Sequence, residues 1–182
     1  MPDHHRIFFA LWPSAEDAAR LMGWAHAAQA VCGGRMNRRE NLHMTLAYLG
    51  ETEHERVEEL LAAADGWQTH AGTMVLDRFG HFPRPKVVWA GPAADEGEGL
   101  SWLHALYDDL WRRLEPLGWR RPDRPFNPHI TLLRKVASCD PSSLPSPGSM
   151  AWTPQRCVLV ASRSTEEGLW YEVLWGQTPY GV

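Results

Sequence analysis

Two ten-residue stretches decide the expected fold of this chain: NLHMTLAYLG at residues 41–50 and NPHITLLRKV at residues 127–136. Each contains His-x-Thr-Leu, beginning at His43 in the first stretch and at His129 in the second. Side chains alternate between the two faces of a strand, so a histidine and the threonine two positions later point to the same side. The two stretches therefore predict two strands, each with a His-Thr pair on one face and apolar residues on the other.

Around these strands the sequence predicts helices and strands in a mixed order, without the regular alternation of a doubly wound sheet. Strands are expected at 6–12, 42–49, 73–79, 86–90 and 129–134, and a final hairpin at 156–162 and 169–175. Helices are expected at about 18–31 after an N-cap at Ser14, after a Thr52–Glu55 capping box, and at about 100–114. Residues 138–149 are rich in Pro, Ser and Gly, and predict a loop. The predicted fold class is α+β with mainly antiparallel sheet.

The weak repeat of the two stretches suggests an internal duplication. Such a duplication would give two lobes about a pseudo-two-fold axis, with one His-x-Thr strand from each lobe facing a shared central cleft. Residues 1–182 are therefore expected to form a single bilobal domain, which suits a chain of 182 residues.

Strict alternation places Met44, Leu46 and Tyr48 on the strand face opposite His43 and Thr45. The apolar face can pack on helices. The polar face would be costly to bury without hydrogen-bond partners, so it is expected to line a solvated pocket.

The formal net charge of −4 and the isoelectric point of about 6.1 argue against binding of nucleic acid along the whole molecule. If the substrate is nucleic acid, contact with an end or a small piece is expected. Short basic runs occur, for example at Arg35, Arg38 and Arg39 and at Arg134 and Lys135. They are interpreted as solvated surface.

The cysteines are odd in number and widely spaced, at Cys32, Cys139 and Cys157, and form no CxxC motif. This spacing argues against a disulfide or zinc framework and favours a reducing cytoplasm. The aromatic run at residues 6–12 is interpreted as a first strand and not as a signal peptide. No membrane association is expected, because no apolar stretch approaches the roughly 20 residues that a membrane span needs.

Two histidines suit acid–base cleavage of a phosphodiester. Imidazole titrates near neutral pH, so one ring can take a proton from the attacking water while the other protonates the leaving alkoxide. Hydroxyls of Thr45 and Thr131 can donate hydrogen bonds to the charge that develops on the phosphoryl oxygens. No metal and no cofactor is expected, because the sequence contains no acidic or histidine cluster with convincing metal-ligand spacing.

With HMTL at residues 43–46 and HITL at residues 129–132, the chain resembles the 2H phosphoesterase superfamily, and within it the LigT-like RNA 2',3'-cyclic phosphodiesterases. The resemblance extends over most of the chain in the family's order, through RIFFALWP, RMNRRENLHMTLAYLGE, FGHFPRPKVVWAG and PFNPHITLLRK. It implies a bilobal α+β fold with helices outside and the two motifs facing each other across the cleft. The implied reaction is hydrolysis of an RNA 2',3'-cyclic phosphate to a 2'-phosphomonoester.

The resemblance also implies residue roles. His43 would donate the proton to the 3'-oxygen and His129 would accept one from water. The residues implied to contact phosphate, base or ribose are Thr45, Thr131, Arg134, Phe9 and Trp89. Arg134 lies on the wrong face by strict alternation, so its role requires a twist or bulge in the strand. Phe9 and Trp89 have an equally good interpretation as core aromatics.

Two departures from the family pattern concern substrate range. Asn127 occupies a position where many relatives carry a basic residue, and the loop at 138–149 has no family signature. The expected partners are RNA ends or small nucleotides with a 2',3'-cyclic phosphate, bound by a monomer without an obligate protein partner. Joining of RNA ends by a 2'-5' link, cleavage of 2'-5' phosphodiesters and nucleotide binding without turnover remain as alternatives.

Overall fold

The computed structural model of the protein describes residues 4–93, 98–166 and 168–181. Its helices are α1 (Ala15–Cys32), α2 (His54–Ala64) and α3 (Ser101–Leu114). Its strands are β1 (His4–Trp12), β2 (Arg35–Met36), β3 (Met44–Glu53), β4 (His70–Ala71), β5 (Met74–Leu76), β6 (Arg78–Phe82), β7 (Val87–Gly91), β8 (Ile130–Arg134), β9 (Met150–Trp152), β10 (Arg156–Thr165), β11 (Gly168–Gln177) and β12 (Tyr180–Gly181). Short 3-10 turns lie at Arg39–Asn41, Glu98–Leu100, Glu115–Leu117 and Pro141–Ser143. The turn at Pro141–Ser143 interrupts the predicted loop at 138–149.

The main sheet is antiparallel and has eight strands in the order β11-β10-β1-β3-β8-β7-β6, with β2 beside β8. Its two strand groups, β11 to β3 and β8 to β6, join through a single register pair, Met44 with Ile130. Two small sheets pair β5 with β9 and β4 with β12. The prediction of a mainly antiparallel α+β fold is confirmed, and the two strand groups form one continuous sheet.

The core lies on one face of this sheet. Ile7, Phe9 and Leu11 of β1 point to that face and are fully buried. They pack in one cluster with apolar residues of the helices, such as Leu21 of α1 and Leu103 of α3. Because period-2 alternation sends the other β1 residues to the opposite face, that face is left for the cleft.

On the cleft side of β1 lies a second, smaller apolar cluster. Phe8 and Ala10 pack there against Val158 and Val160 of β10. The cluster packs against the first motif, because the Phe8 ring also contacts the His43 ring.

A bulge changes the alternation within β3. Phe9 pairs with Ala47 and Ala10 pairs with Thr45, so Leu46 is an extra residue on β3. The residues on either side of a bulge exchange faces relative to strict alternation. Tyr48 therefore turns toward the cleft side and is 58% exposed, and the prediction that it shares the core face is wrong.

The predicted N-cap of α1 is confirmed: the Asp17 N–H donates to Ser14 Oγ at 3.0 Å. The Thr52–Glu55 capping box is wrong. β3 continues to Glu53, which is the N-cap of α2 and makes no side-chain capping bond. Thr52 remains in the strand, where its hydroxyl donates to the Gly50 carbonyl.

Cys32 and Cys139 form a disulfide between the end of α1 and the segment after β8, with Cα atoms 5.1 Å apart. The sequence interpretation that argued against a disulfide is therefore wrong. The fold brings together two cysteines 107 residues apart, and spacing along the chain cannot reveal that. Within the described residues, no helix is both long and apolar enough to span a bilayer.

Gly23 offers a test of helix packing on the solvent side of α1. A Cβ added at Gly23 would meet no atom within 4 Å, whereas one added at Gly80 would lie 2.0 Å from Cζ2 of Trp89. We expect Gly23→Ala to raise the free energy of unfolding by roughly 0.5–1 kcal/mol, because alanine loses less backbone entropy in a helix. Gly80→Ala should lower it by about 1–3 kcal/mol through overpacking. Urea denaturation checks both, and equal effects of the two variants would contradict the packing described.

Candidate active site

The two His-x-Thr motifs meet at the centre of the main sheet. His43 immediately precedes β3 and His129 immediately precedes β8, one residue before the Met44–Ile130 pair in each case. Because the pairing is antiparallel, the motifs run past each other in opposite directions. The predicted pseudo-two-fold relation therefore applies locally, around this one pair.

Each histidine ring is held in the same way. His43 Nδ1 lies 2.7 Å from the carbonyl oxygen of Asn41, and His129 Nδ1 lies 2.8 Å from that of Asn127. A carbonyl only accepts, so each Nδ1 carries the hydrogen and each Nε2 is left to exchange a proton. These positioning carbonyls were not predicted from the sequence. Every residue has a backbone carbonyl, so the residue types at Asn41 and Asn127 do not reveal the contacts.

The two rings differ in their aromatic surroundings. Trp12 stacks on His43 with ring centroids 5.3 Å apart and planes 14° apart. Phe8 and Tyr171 complete an aromatic cage around His43, with centroids at 4.9 and 5.4 Å.

His129 has a more open environment. Phe82 approaches it edge-on at 5.1 Å, and Trp89 lies at 6.0 Å. The indole of Trp89 is 5% exposed and fits beside Gly80 and Gly91, where a Cβ would collide with it. Trp89 therefore lies next to the site, where its ring packs beside the His129 ring.

Phe9, which the resemblance places at the base or ribose, does not lie in the cleft. Its ring is fully buried in the core against Trp67 and Trp175. Its neighbour Phe8 contacts His43 instead, because adjacent strand residues point to opposite faces.

A cleft of about 520 Å³ lies between the two strand groups. Its lining includes Thr45, His129 and Thr131, and three arginines, but no carboxylate of the residues that the structure describes. The arginines are Arg84, Arg124 and Arg134. His43 is not among the residues that line this cleft, but the charges of Arg134 and His129 both act on its ring.

The bulge that Arg134 requires is present in β8. Val88 pairs with Leu133 and Trp89 pairs with Thr131, so Leu132 is the extra residue. Arg134 consequently lines the cleft. Its guanidinium hydrogen-bonds Tyr171, while its Nε is buried without a partner among the described residues.

Burial controls the charge of both histidines. Desolvation lowers the pKa of His43 from 6.5 to about 4, and the hydrogen bond to Asn41 only partly opposes it. Desolvation also lowers the pKa of His129, and the positive charges of Arg124 and Arg134 lower it further. Both rings are therefore neutral at pH 7 in the free protein. An anion placed beside Arg134 would offset these effects and raise both pKa values.

Among the described residues, no group of three or more His, Cys, Asp or Glu side chains is arranged to hold a metal ion. The polar groups that converge on the cleft are imidazoles, hydroxyls and guanidiniums. This set is suited to holding a phosphate and to moving protons around it.

The fold and these two motifs define a two-histidine phosphoesterase architecture. A family model described as the 2'-5' RNA ligase superfamily matches residues 12–159. The chain belongs to this superfamily, and the predicted resemblance to the 2H phosphoesterases is confirmed.

Relatives with names and solved structures agree with the assignment. The chain is 32% identical over 148 residues to an RNA 2',3'-cyclic phosphodiesterase of Escherichia coli, covering 81% of each chain. It is 30% identical over 179 residues to one of Thermus thermophilus, covering 93% of this chain and 87% of that protein. The structure of E. coli LigT complexed with 3'-AMP matches with a TM-score of 0.79 at 31% identity, covering 97% of this chain and 98% of that one.

Arg134 allows a test of the site's electrostatics. Its positive charge lowers the pKa of both His43 and His129, so Arg134→Gln should raise both. Two-dimensional NMR of the imidazole nitrogens across pH 3 to 8 measures the change. Unchanged titration of both rings in the variant would show that Arg134 does not face them.

Proposed function

We propose that this protein is an RNA 2',3'-cyclic phosphodiesterase, a phosphoric diester hydrolase that leaves a 2'-phosphomonoester. The observation that carries the proposal is the matched pair of imidazoles. Each binds a backbone carbonyl through Nδ1, and each is followed two residues later by a threonine on the cleft. Such a pair supplies one proton acceptor and one proton donor to a single phosphate.

In the proposed reaction, Nε2 of His129 takes a proton from a water molecule that attacks the phosphorus. The P–O3' bond breaks, and protonated His43 gives its Nε2 proton to the leaving 3'-oxygen. Thr45 and Thr131 donate hydrogen bonds to the non-bridging oxygens, and Arg134 offsets their charge. The phosphate stays on the 2'-oxygen.

The acid role requires a protonated His43, although the pKa of this ring is about 4 in the free protein. We infer that the substrate supplies the missing stabilisation. A cyclic phosphate carries one negative charge, and its attraction for the imidazolium would oppose the desolvation that chiefly lowers the pKa of this ring, as well as the smaller repulsion from Arg134. Proton uptake would then accompany substrate binding.

The substrate class is supported by the named relatives. Those in Escherichia coli and Thermus thermophilus are RNA 2',3'-cyclic phosphodiesterases, and the similar LigT structure was determined with 3'-AMP. The cleft fits this class, because its arginines favour an anion and its aromatic residues Tyr48, Phe82 and Phe126 can contact a base.

A second candidate activity is 2'-5' end joining, which the name of the superfamily favours. A 5'-hydroxyl would replace water as the nucleophile, attack the phosphorus of the 2',3'-cyclic phosphate and expel the 3'-oxygen. The same proton acceptor and donor serve both reactions, so the two differ only in which hydroxyl occupies the nucleophile position.

We also propose that residues 1–182 act as one bilobal domain and as a monomer, because both His-Thr pairs come from a single chain. Sedimentation equilibrium measures the oligomeric state, and a dimer would contradict the proposal of a monomer.

The cytoplasm is the proposed location, because RNA ends with cyclic phosphates are substrates found inside cells. Activity confined to a secreted fraction would contradict the location.

The two-histidine mechanism predicts a large loss of activity in either single variant. We expect His43→Ala and His129→Ala each to lower kcat for a 2',3'-cyclic nucleotide by about 100- to 10,000-fold, since general acid and base catalysis contribute that much. His26→Ala is the matched control: His26 also places Nδ1 against a backbone carbonyl, that of Met22, but on the exposed side of α1. Full activity in either motif variant would refute the mechanism.

End joining is tested by adding an oligonucleotide with a free 5'-hydroxyl to one that ends in a 2',3'-cyclic phosphate. If joining occurs, we expect a longer product. Its junction should resist a nuclease that cleaves 3'-5' phosphodiester linkages but not 2'-5' linkages. Hydrolysis product alone, at high concentrations of both enzyme and acceptor, would restrict the protein to the phosphodiesterase reaction.

A further inference from the structure

Three cavities meet at Arg134. The first is the active-site cleft, and the second, of about 410 Å³, is lined by Pro85, Lys86, Val87, Arg134, Lys135 and Ala137. The third, of about 140 Å³, is lined by Arg35, Met36, Asn37, Arg38, Asn41, Arg134, Lys135 and Leu169. The shared residues make the three cavities neighbours, and we refer to the second and third together as the depression beside the cleft.

The charges along this depression are all positive. Four basic residues line it beyond Arg134, and we call them the basic track: Lys86, Lys135, Arg35 and Arg38. Among the residues that the structure describes, no Asp or Glu lines any of the three cavities. The whole chain has 22 acidic and 18 basic residues, so this one-sided charge is not a reflection of composition. A surface of one sign concentrates ligands of the opposite sign.

We propose that the basic track binds the sugar-phosphate backbone of an RNA strand whose 3' end lies in the active site, so that the substrate is an oligonucleotide and not a free nucleotide. The proposal rests on the proposed phosphodiesterase function. A cyclic phosphate at the 3' end leaves only the 5' direction for the strand, which must leave the cleft through an opening. The two cavities next to Arg134 provide an opening that is lined with basic side chains.

The track brings like charges close together. Arg35 and Arg134 are register partners in the antiparallel β2–β8 pair, so their side chains share a face. Nη2 of Arg35 and Nη2 of Arg38 both lie 3.5 Å from the position of a Cβ on Gly168. Like charges directly opposite each other destabilise a sheet, and a phosphate bound between Arg35 and Arg134 would offset their repulsion.

Both lysines of the track have left-handed backbone conformations, with φ of 66° at Lys86 and 56° at Lys135. They are the non-glycine residues with positive φ in the described part of the chain. The Val136 N–H donates to the Lys86 carbonyl at 3.0 Å and ties the two segments together. Such conformations cost free energy and concentrate at binding sites. Both lysines are exposed, and both line the second cavity.

An exposed aromatic side chain lies at the far end of the track. Trp170 is 53% exposed, follows the cavity residue Leu169, and has the Arg38 guanidinium 5.9 Å from its ring centroid. Exposed aromatics next to cations are the usual stacking platforms for unpaired bases. Trp170 is therefore placed to stack a base several nucleotides upstream of the scissile phosphate.

The test compares two substrates: a 2',3'-cyclic mononucleotide and a ten-nucleotide RNA that ends in a 2',3'-cyclic phosphate. The track variant is Lys86→Asn with Lys135→Asn, because asparagine tolerates left-handed backbone. Arg20→Gln, on the exposed face of α1, is the charge control. We expect the track variant to raise KM for the RNA about 3- to 10-fold and to leave the mononucleotide constants unchanged. Its plot of log(kcat/KM) against log salt should be shallower by about 0.7 per lost phosphate contact.

Equal effects on both substrates, or no effect on either, would overturn the basic track. An alternative route is tested by Arg84→Gln with Arg124→Gln, since both residues line the cleft but neither of the other two cavities. A selective loss for RNA in that variant alone would also overturn the proposal.

Direct binding separates the track from the catalytic function. Fluorescence anisotropy with a 3'-phosphorylated decamer and the His129→Ala protein needs no turnover. In the His129→Ala protein, the two lysine substitutions of the track variant, and separately Trp170→Ala, are expected to weaken binding of the decamer. That result would support the track even if the wild type hydrolysed neither substrate. Unchanged binding would overturn the track while leaving the phosphodiesterase activity intact.

Discussion

One backbone contact, the pairing of Met44 with Ile130, is the constraint on which the rest of the site depends. It is the register pair through which the two strand groups become one sheet, and it lies between the two histidines. Both side chains are fully buried, so sliding the strands past each other would expose apolar surface as well as separate His43 from His129. Stability and the alignment of the proposed acid–base pair therefore depend on the same contact.

Much of this arrangement follows from local pattern. Apolar alternation in residues 41–50 and 127–136 predicts both motif strands, and Ser14 is the N-cap its residue type suggests. Two bulges, at Leu46 and Leu132, decide which later residues of their strands face the cleft. Each bulge shifts later residues by one face, which turns Tyr48 and Arg134 toward the cleft. A bulge is set by pairing with neighbouring strands, and a single strand's sequence does not contain that information.

Other features depend on contacts between distant parts of the chain. Phe8 and Phe9 are identical in type, and only the position of the helices decides which of them faces the core. The Cys32–Cys139 bond needs the end of α1 to lie beside the segment after β8. The basic track also requires the folded chain, because its residues come from three separate regions that each resemble ordinary solvated surface in the sequence.

The identical anchoring of the two imidazoles has a consequence for the polarity of cleavage. With Nδ1 tied to a carbonyl in both, the two rings have the same tautomer. Which bond to phosphorus breaks must then be decided by what surrounds them: Trp12, Phe8 and Tyr171 around one ring, and the open cleft around the other. The two proposed catalytic histidines are related by a local two-fold rotation. The side chains around them therefore decide which ring acts as the acid in the proposed reaction.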